Sequence, residues 1–132
     1  MRQTDKDAKG RIIIMDDEPS VREICCDIIS FLGYDVDCTE DGEELINLYK
    51  QALEENIRID AVLVDLTVPG GMGGKEAFQK LKELDKNVVG IVSSGYTNDS
   101  TMSNYKEFGF DGIIVKPYQV SDMEEVLASI IK

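Results

Sequence analysis

The sequence predicts an α/β protein, a parallel β-sheet with helices on both faces. Three features carry that expectation. Short apolar runs alternate five times with stretches of helical periodicity. The runs are apolar at consecutive positions, as strands covered on both faces require. Charged residues also stand where three of these runs stop: Asp16 and Asp17 after Arg11–Met15, Asp65 at the end of Ala61–Asp65, and Lys116 after Gly112–Val115. The carboxyl ends of parallel strands form the ligand crevice of such sheets, so these residues should meet in one pocket.

Each element has its own signal. Arg11–Met15 is a β-branched apolar run. Pro19 suits the first turn of a helix that carries Val21, Ile24, Cys25, Ile28 and Leu32 and stops at Gly33. Residues 34–38 form a short strand, and Asp41 with Glu44 makes a capping box for a helix carrying Leu45, Leu48, Tyr49 and Leu53. Ala61–Asp65 is the third strand. A glycine-rich loop leads from it into a helix with Ala77, Phe78, Leu81 and Leu84. Residues 88–93 read as the fourth strand, 98–108 as a more polar helix and Gly112–Val115 as the fifth strand. Ser121 with Glu124 is expected to cap a last helix carrying Met123, Val126, Leu127, Ile130 and Ile131. Strand order does not follow from this pattern alone.

The 132 residues, 42% hydrophobic, suit one domain with a single core, read as residues 11–132 after a flexible N-terminal leader at 1–10. A net charge of −12 opposes direct binding to nucleic acid or to an anionic membrane surface. No run is long enough to span a bilayer and no apolar signal region opens the chain, so a cytoplasmic location is expected. Cys25, Cys26 and Cys38 all fall in apolar-patterned segments and read as buried reduced thiols. Histidine is absent, which removes the commonest proton shuttle and transition-metal ligand.

Carboxylates clustered at strand ends need a hard cation or a lysine to offset their repulsion. Oxygen-only ligands suit Mg²⁺, and a partly open Mg²⁺ site is well matched to a phosphoryl group. No histidine or nearby cysteine is available as the nucleophile, so a carboxylate is the expected acceptor, and Asp65 is the central one. Lys116 and the hydroxyl of Ser94 are placed to bind phosphoryl oxygens.

These residues resemble the receiver domain of two-component response regulators, from about Arg11 to the C-terminus. Met15-Asp16-Asp17-Glu18 matches its acidic pair, and the segment from Asp65 to Gly70 its phospho-acceptor motif. Ser94-Gly95-Tyr96 matches its hydroxyl residue and small neighbour, and Lys116-Pro117-Tyr118 its Lys-Pro-aromatic signature. The resemblance implies a flavodoxin-like (βα)5 fold with strand order 2-1-3-4-5. It also implies that Asp65 is phosphorylated from a phosphohistidine on a sensor kinase or phosphotransfer partner. Asp17, Asp65 and the Thr67 carbonyl would ligate Mg²⁺ directly and Asp16 through water. Ser94 would move to the phosphoryl group, Lys116 would contact it, and the Lys116–Pro117 peptide would be cis. The loop wording around Thr67–Glu76 and Ser93–Tyr96 is similar to receivers of hybrid sensor histidine kinases, so a stand-alone regulator and a kinase module both fit.

One position departs from the family pattern. Ile113 stands where many receivers carry a Tyr or Phe whose rotation reports phosphorylation. That keeps open a pseudo-receiver, a protein-interaction module that phosphorylation does not control. A Mg²⁺-dependent phosphatase or mutase fits less well, because Thr67 stands where such enzymes carry a second aspartate. Tyr96, in the loop beside the pocket, suits either a gate on water access or a loop aromatic. Lys75 after the glycine run does not make a nucleotide loop, because Pro69 and Glu76 break that pattern. The expected activity is a switch that catalyses only its own phosphorylation and dephosphorylation.

Overall fold

The computed structural model describes residues 8–66, 73–94 and 104–131. Five parallel strands, β1 (Arg11–Met15), β2 (Asp35–Thr39), β3 (Ala61–Asp65), β4 (Gly90–Ser94) and β5 (Gly112–Val115), form one sheet in the order β2-β1-β3-β4-β5. This is the order that the family resemblance implies. Among the described residues, four helices cover the sheet: α1 (Pro19–Phe31), α2 (Gly42–Glu54), α3 (Gly74–Leu84) and α4 (Val120–Ile130).

Strand alternation divides the core in two. Ile13, Met15, Val62, Val64 and Val92 pack against Leu45, Tyr49, Ala77, Phe78 and Leu81 of α2 and α3. Ile12, Ile14, Leu63, Ile91 and Ile114 pack against Cys25, Ile29, Met123 and Leu127 of α1 and α4. Both parities of β1 and β3 are therefore buried, which is why they read as unbroken apolar runs. Arg11 is buried too, and its charge is met across the β1–β2 pair by Asp37 at 2.9 Å and Asp35 at 3.9 Å.

Helix ends follow local chemistry where the chain direction permits. Asp41 accepts the Glu44 N–H at 2.9 Å and caps α2. Gly33, with φ of +100°, takes the left-handed conformation that ends the α1 turn. Ser121 does not cap α4. The chain is extended at Gln119, whose carbonyl accepts the Met123 N–H at 3.0 Å, so Ser121 lies inside the first turn. β2 and β4 both begin and end later than the spans 34–38 and 88–93 that their apolar patterns suggest. Of the helix expected at 98–108, residues 98–103 lie outside the described residues. Residues 104–109 form successive turns closed by Glu107 N–H to Asn104 C=O and Gly109 N–H to Lys106 C=O.

The cysteine expectation needs correction. Cys25 is buried and free, but Cys26 and Cys38 form a disulfide between α1 and β2, with Cα atoms 6.8 Å apart. Cys38 shares the sheet face of Val36, the face that α1 covers, and lies exposed toward the end of the edge strand. Its sulfur therefore meets the flank of α1 instead of the core.

Candidate functional site

The sheet places the sequence-predicted residues at one edge. Asp16 directly follows β1, Asp65 is the last residue of β3, and Lys116 directly follows β5. β4 lies between β3 and β5 and ends at Ser94, whose Cα pairs with Val115. Lys116 reaches back over that strand end. Its Nζ lies 2.8 Å from Asp16 Oδ2 and 3.2 Å from Asp65 Oδ1. The Lys116–Pro117 peptide is cis, as expected.

Asp16 is held from several sides. Its N–H donates to the Thr39 carbonyl at 3.1 Å, and Thr39 Oγ1 in turn donates to the Ile14 carbonyl at 2.7 Å. Arg22 Nη1 donates to the Asp16 carbonyl at 2.8 Å, and Asp16 Oδ1 accepts the Glu18 N–H at 3.0 Å. That last bond closes the loop ahead of α1. Glu18, the N-cap residue of α1, makes no side-chain capping bond, and the Asp16 carboxylate is engaged by the Glu18 N–H, ahead of the helix.

Asp16 and Asp65 are buried and Asp17 is half-buried. One carboxylate oxygen from each lies within 4.8 Å of the others. Two like charges at that separation repel by about 3 kcal/mol at an effective dielectric of about 20, and one ammonium cannot offset three carboxylates. The Asp65 carboxyl shows the result. Burial, with the Asp16 and Asp17 charges adding to it and Lys116 opposing it, pushes its pKa up to about 6. For Lys116, burial works against the charged form, but the hydrogen bond to Asp16 and the Asp65 and Asp16 charges outweigh it and raise its pKa. A compact, buried, all-oxygen donor set with surplus negative charge fits a hard divalent cation such as Mg²⁺.

Thr67, Gly95 and Tyr96 lie outside the described residues, as does the side chain of Ser94. Ile113 is half-buried and packs on the α2–α3 side of the sheet, and Pro117 is exposed. Two contributors were not foreseen. Gly74 packs so closely that a Cβ there would overlap the Asp65 carbonyl, bringing the start of α3 against the end of β3. Ser93 and Tyr118 share a 2.6 Å hydrogen bond behind the site. The only sequence signal for that pair is adjacency, since Ser93 precedes Ser94 and Tyr118 follows Lys116-Pro117.

A five-stranded parallel sheet in this order, with three aspartates and a lysine gathered at its carboxyl edge, defines the receiver class of signalling domains. Residues 12–128 match the response regulator receiver domain, and the chain belongs to that family. It is 32% identical over 124 residues to the chemotaxis protein CheY of Thermotoga maritima, covering 92% of this chain and 98% of that one. With the probable transcriptional regulator ycf27 of Guillardia theta it shares 28% identity over 128 residues, 97% of this chain and 48% of the relative, so the chain spans about half of that protein. Among solved structures, it superposes with a TM-score of 0.80 on a chain of the CheX–CheY–BeF3–Mg²⁺ complex from Borrelia burgdorferi. That match is 26% identical and covers 93% of this chain and 90% of that one.

Proposed function

We propose that the protein is a phosphorylation-controlled switch in which Asp65 accepts a phosphoryl group from a phosphohistidine outside these 132 residues. Receiver domains accept phosphoryl groups from histidine kinases or phosphotransfer proteins. The observation that carries the assignment here is Asp65 itself, buried at a strand end, beside two further carboxylates and 3.2 Å from Lys116. An Asp65 oxygen attacks phosphorus, the phosphorus–nitrogen bond to the donor imidazole breaks, and the imidazole leaves with the bonding pair and takes up a proton. Lys116 passes from the carboxylates to a phosphoryl oxygen, and the Ser94 hydroxyl donates to another.

Asp17, Asp65 and the Thr67 carbonyl would hold Mg²⁺ directly, with Asp16 acting through water. When bound, Mg²⁺ supplies the positive charge that lets an anionic acceptor approach an anionic phosphoryl group. The modified Asp65 carries about −1.5 to −2 charge in place of −1, and the new contacts to Lys116 and Ser94 favour the arrangement that makes them. We assign the switch to the cytoplasm, with no direct nucleic-acid or membrane contact and no turnover of an outside substrate. Among the described residues no helix is long and apolar enough to cross a membrane. The loop wording that resembles hybrid-kinase receivers falls largely outside the described residues, and the reading above applies to a stand-alone regulator and to a kinase module alike.

Intact mass after incubation with acetyl phosphate and Mg²⁺ tests the proposal. A single phosphoryl adduct that requires Mg²⁺ and is missing from Asp65→Asn is expected. Ile113, in place of the usual aromatic, favours the second reading, a pseudo-receiver that binds partners unmodified. No adduct from either acetyl phosphate or a competent phosphohistidine protein would establish that reading instead.

A further inference from the structure

Ser93 is fully buried, and its hydroxyl shares a 2.6 Å hydrogen bond with the hydroxyl of Tyr118. Both ends of this bond touch the machinery of the site without belonging to it. Ser93 lies in register with Asp65 on one side and Ile114 on the other, and it immediately precedes Ser94. Tyr118 stands two residues after Lys116, and its ring packs on the core between the sheet and α1 and α4. One buried bond thus ties the end of β4 to the loop that carries the ammonium.

A lysine stem has four rotatable carbons, so the place of its Nζ depends on the backbone that launches it. Lys116 must leave β5, cross the end of β4 and reach Asp65 on β3. We propose that Ser93 and Tyr118 act together as a positioning pair that holds this loop so that Lys116 meets Asp65. The proposal rests on the reading of Asp65 as phosphoryl acceptor. Burial raises the Tyr118 pKa, outweighing the opposing effect of the Ser93 hydrogen bond, so the phenol stays protonated and remains available to this bond at working pH. Packing alone does not explain the pair, because a phenylalanine would fill the same space.

The test is the rate of phosphorylation by acetyl phosphate at saturating Mg²⁺, set beside the Mg²⁺ dissociation constant from calorimetry. It compares wild type, Tyr118→Phe, Ser93→Ala and the double variant. Phenylalanine keeps the ring and alanine removes only a hydroxyl, and thermal unfolding of each variant checks that the fold persists. A rate lower by about tenfold is expected in each single variant, since one net hydrogen bond has about that value in rate. The double variant should be no slower than either single one, with Mg²⁺ affinity unchanged throughout. Unchanged single-variant rates, additive losses, or a fall in Mg²⁺ affinity matching the fall in rate would each overturn the pairing. Absence of an adduct from wild type is a separate outcome, which removes the acceptor reading and this inference with it.

Discussion

The Lys116 ammonium lies 3.2 Å from Asp65, a residue two strands away in the sheet, and 2.8 Å from Asp16. It is the counter-charge of a buried carboxylate cluster before any phosphoryl group arrives. Lys116→Met keeps much of the stem and removes the charge. Breaking a buried pair from one side costs roughly 3 kcal/mol, because the remaining charges are left without an offset. The urea midpoint in EDTA should fall accordingly, and Mg²⁺ should restore part of the loss. An unchanged midpoint in EDTA would show that Lys116 does not neutralise the cluster.

Asp65 supplies a pH test with a definite sign. Its pKa in the folded protein is raised from 3.8 to about 6, so between these values the native state binds more protons than the unfolded one. Stability contributed by this group is therefore greatest at low pH and is lost as pH rises through about 6. Asp65→Asn removes that deficit. The variant should be more stable than wild type by about 3 kcal/mol near pH 7 in EDTA, and most of that gain should be gone near pH 4. Saturating Mg²⁺ should shrink or reverse the difference, because the wild type has the extra carboxylate. Thermal melts at both pH values check it, and a variant less stable than wild type at neutral pH in EDTA would contradict the crowded-carboxylate account.

What was legible in the chain has physical reasons. Strands buried on both faces leave unbroken apolar runs, so β1 and β3 stood out, and with them the charged residues that mark the pocket edge. Asp16, Asp65 and Lys116 were visible because of where the apolar runs stop. Strand order was not, because a period of two encodes faces and says nothing of neighbours. Ser121 and Glu124 fit the spacing of a capping box, but the chain already turns into α4 after Gln119, and direction of entry is a tertiary matter. Likewise, alternation puts Ser93 on the face opposite Ser94. It cannot say that Tyr118 covers that face, or that Cys38 lies against the flank of α1.

The three cysteines should react in a fixed order. Cys25 is buried, and burial with the nearby Asp16 charge pushes its thiol up to about 12, so almost no thiolate forms at neutral pH. Cys26 and Cys38 are joined, with Cys38 on the exposed end of the edge strand. Iodoacetamide should leave the native, unreduced protein unlabelled. After reduction it should add two groups, and a third only on unfolding, as read by intact mass. Labelling of Cys25 in the native protein would contradict its placement in the core.

Gly74 sets two general effects against each other. Alanine at a helix position usually stabilises by about 1 kcal/mol relative to glycine. Here the added Cβ would overlap the Asp65 carbonyl and come within 3.1 Å of the Val64 Cβ. Backbone does not yield as a flexible side chain does, and overpacking of this kind costs roughly 1–3 kcal/mol. The steric cost should win, with relief coming from a shift of α3 away from β3 or of Asp65 away from Lys116. Gly74→Ala should therefore melt lower than wild type and take up the phosphoryl group from acetyl phosphate more slowly. A variant that melts higher and is phosphorylated at the wild-type rate would mean that α3 does not seat against the end of β3 as tightly as this contact requires.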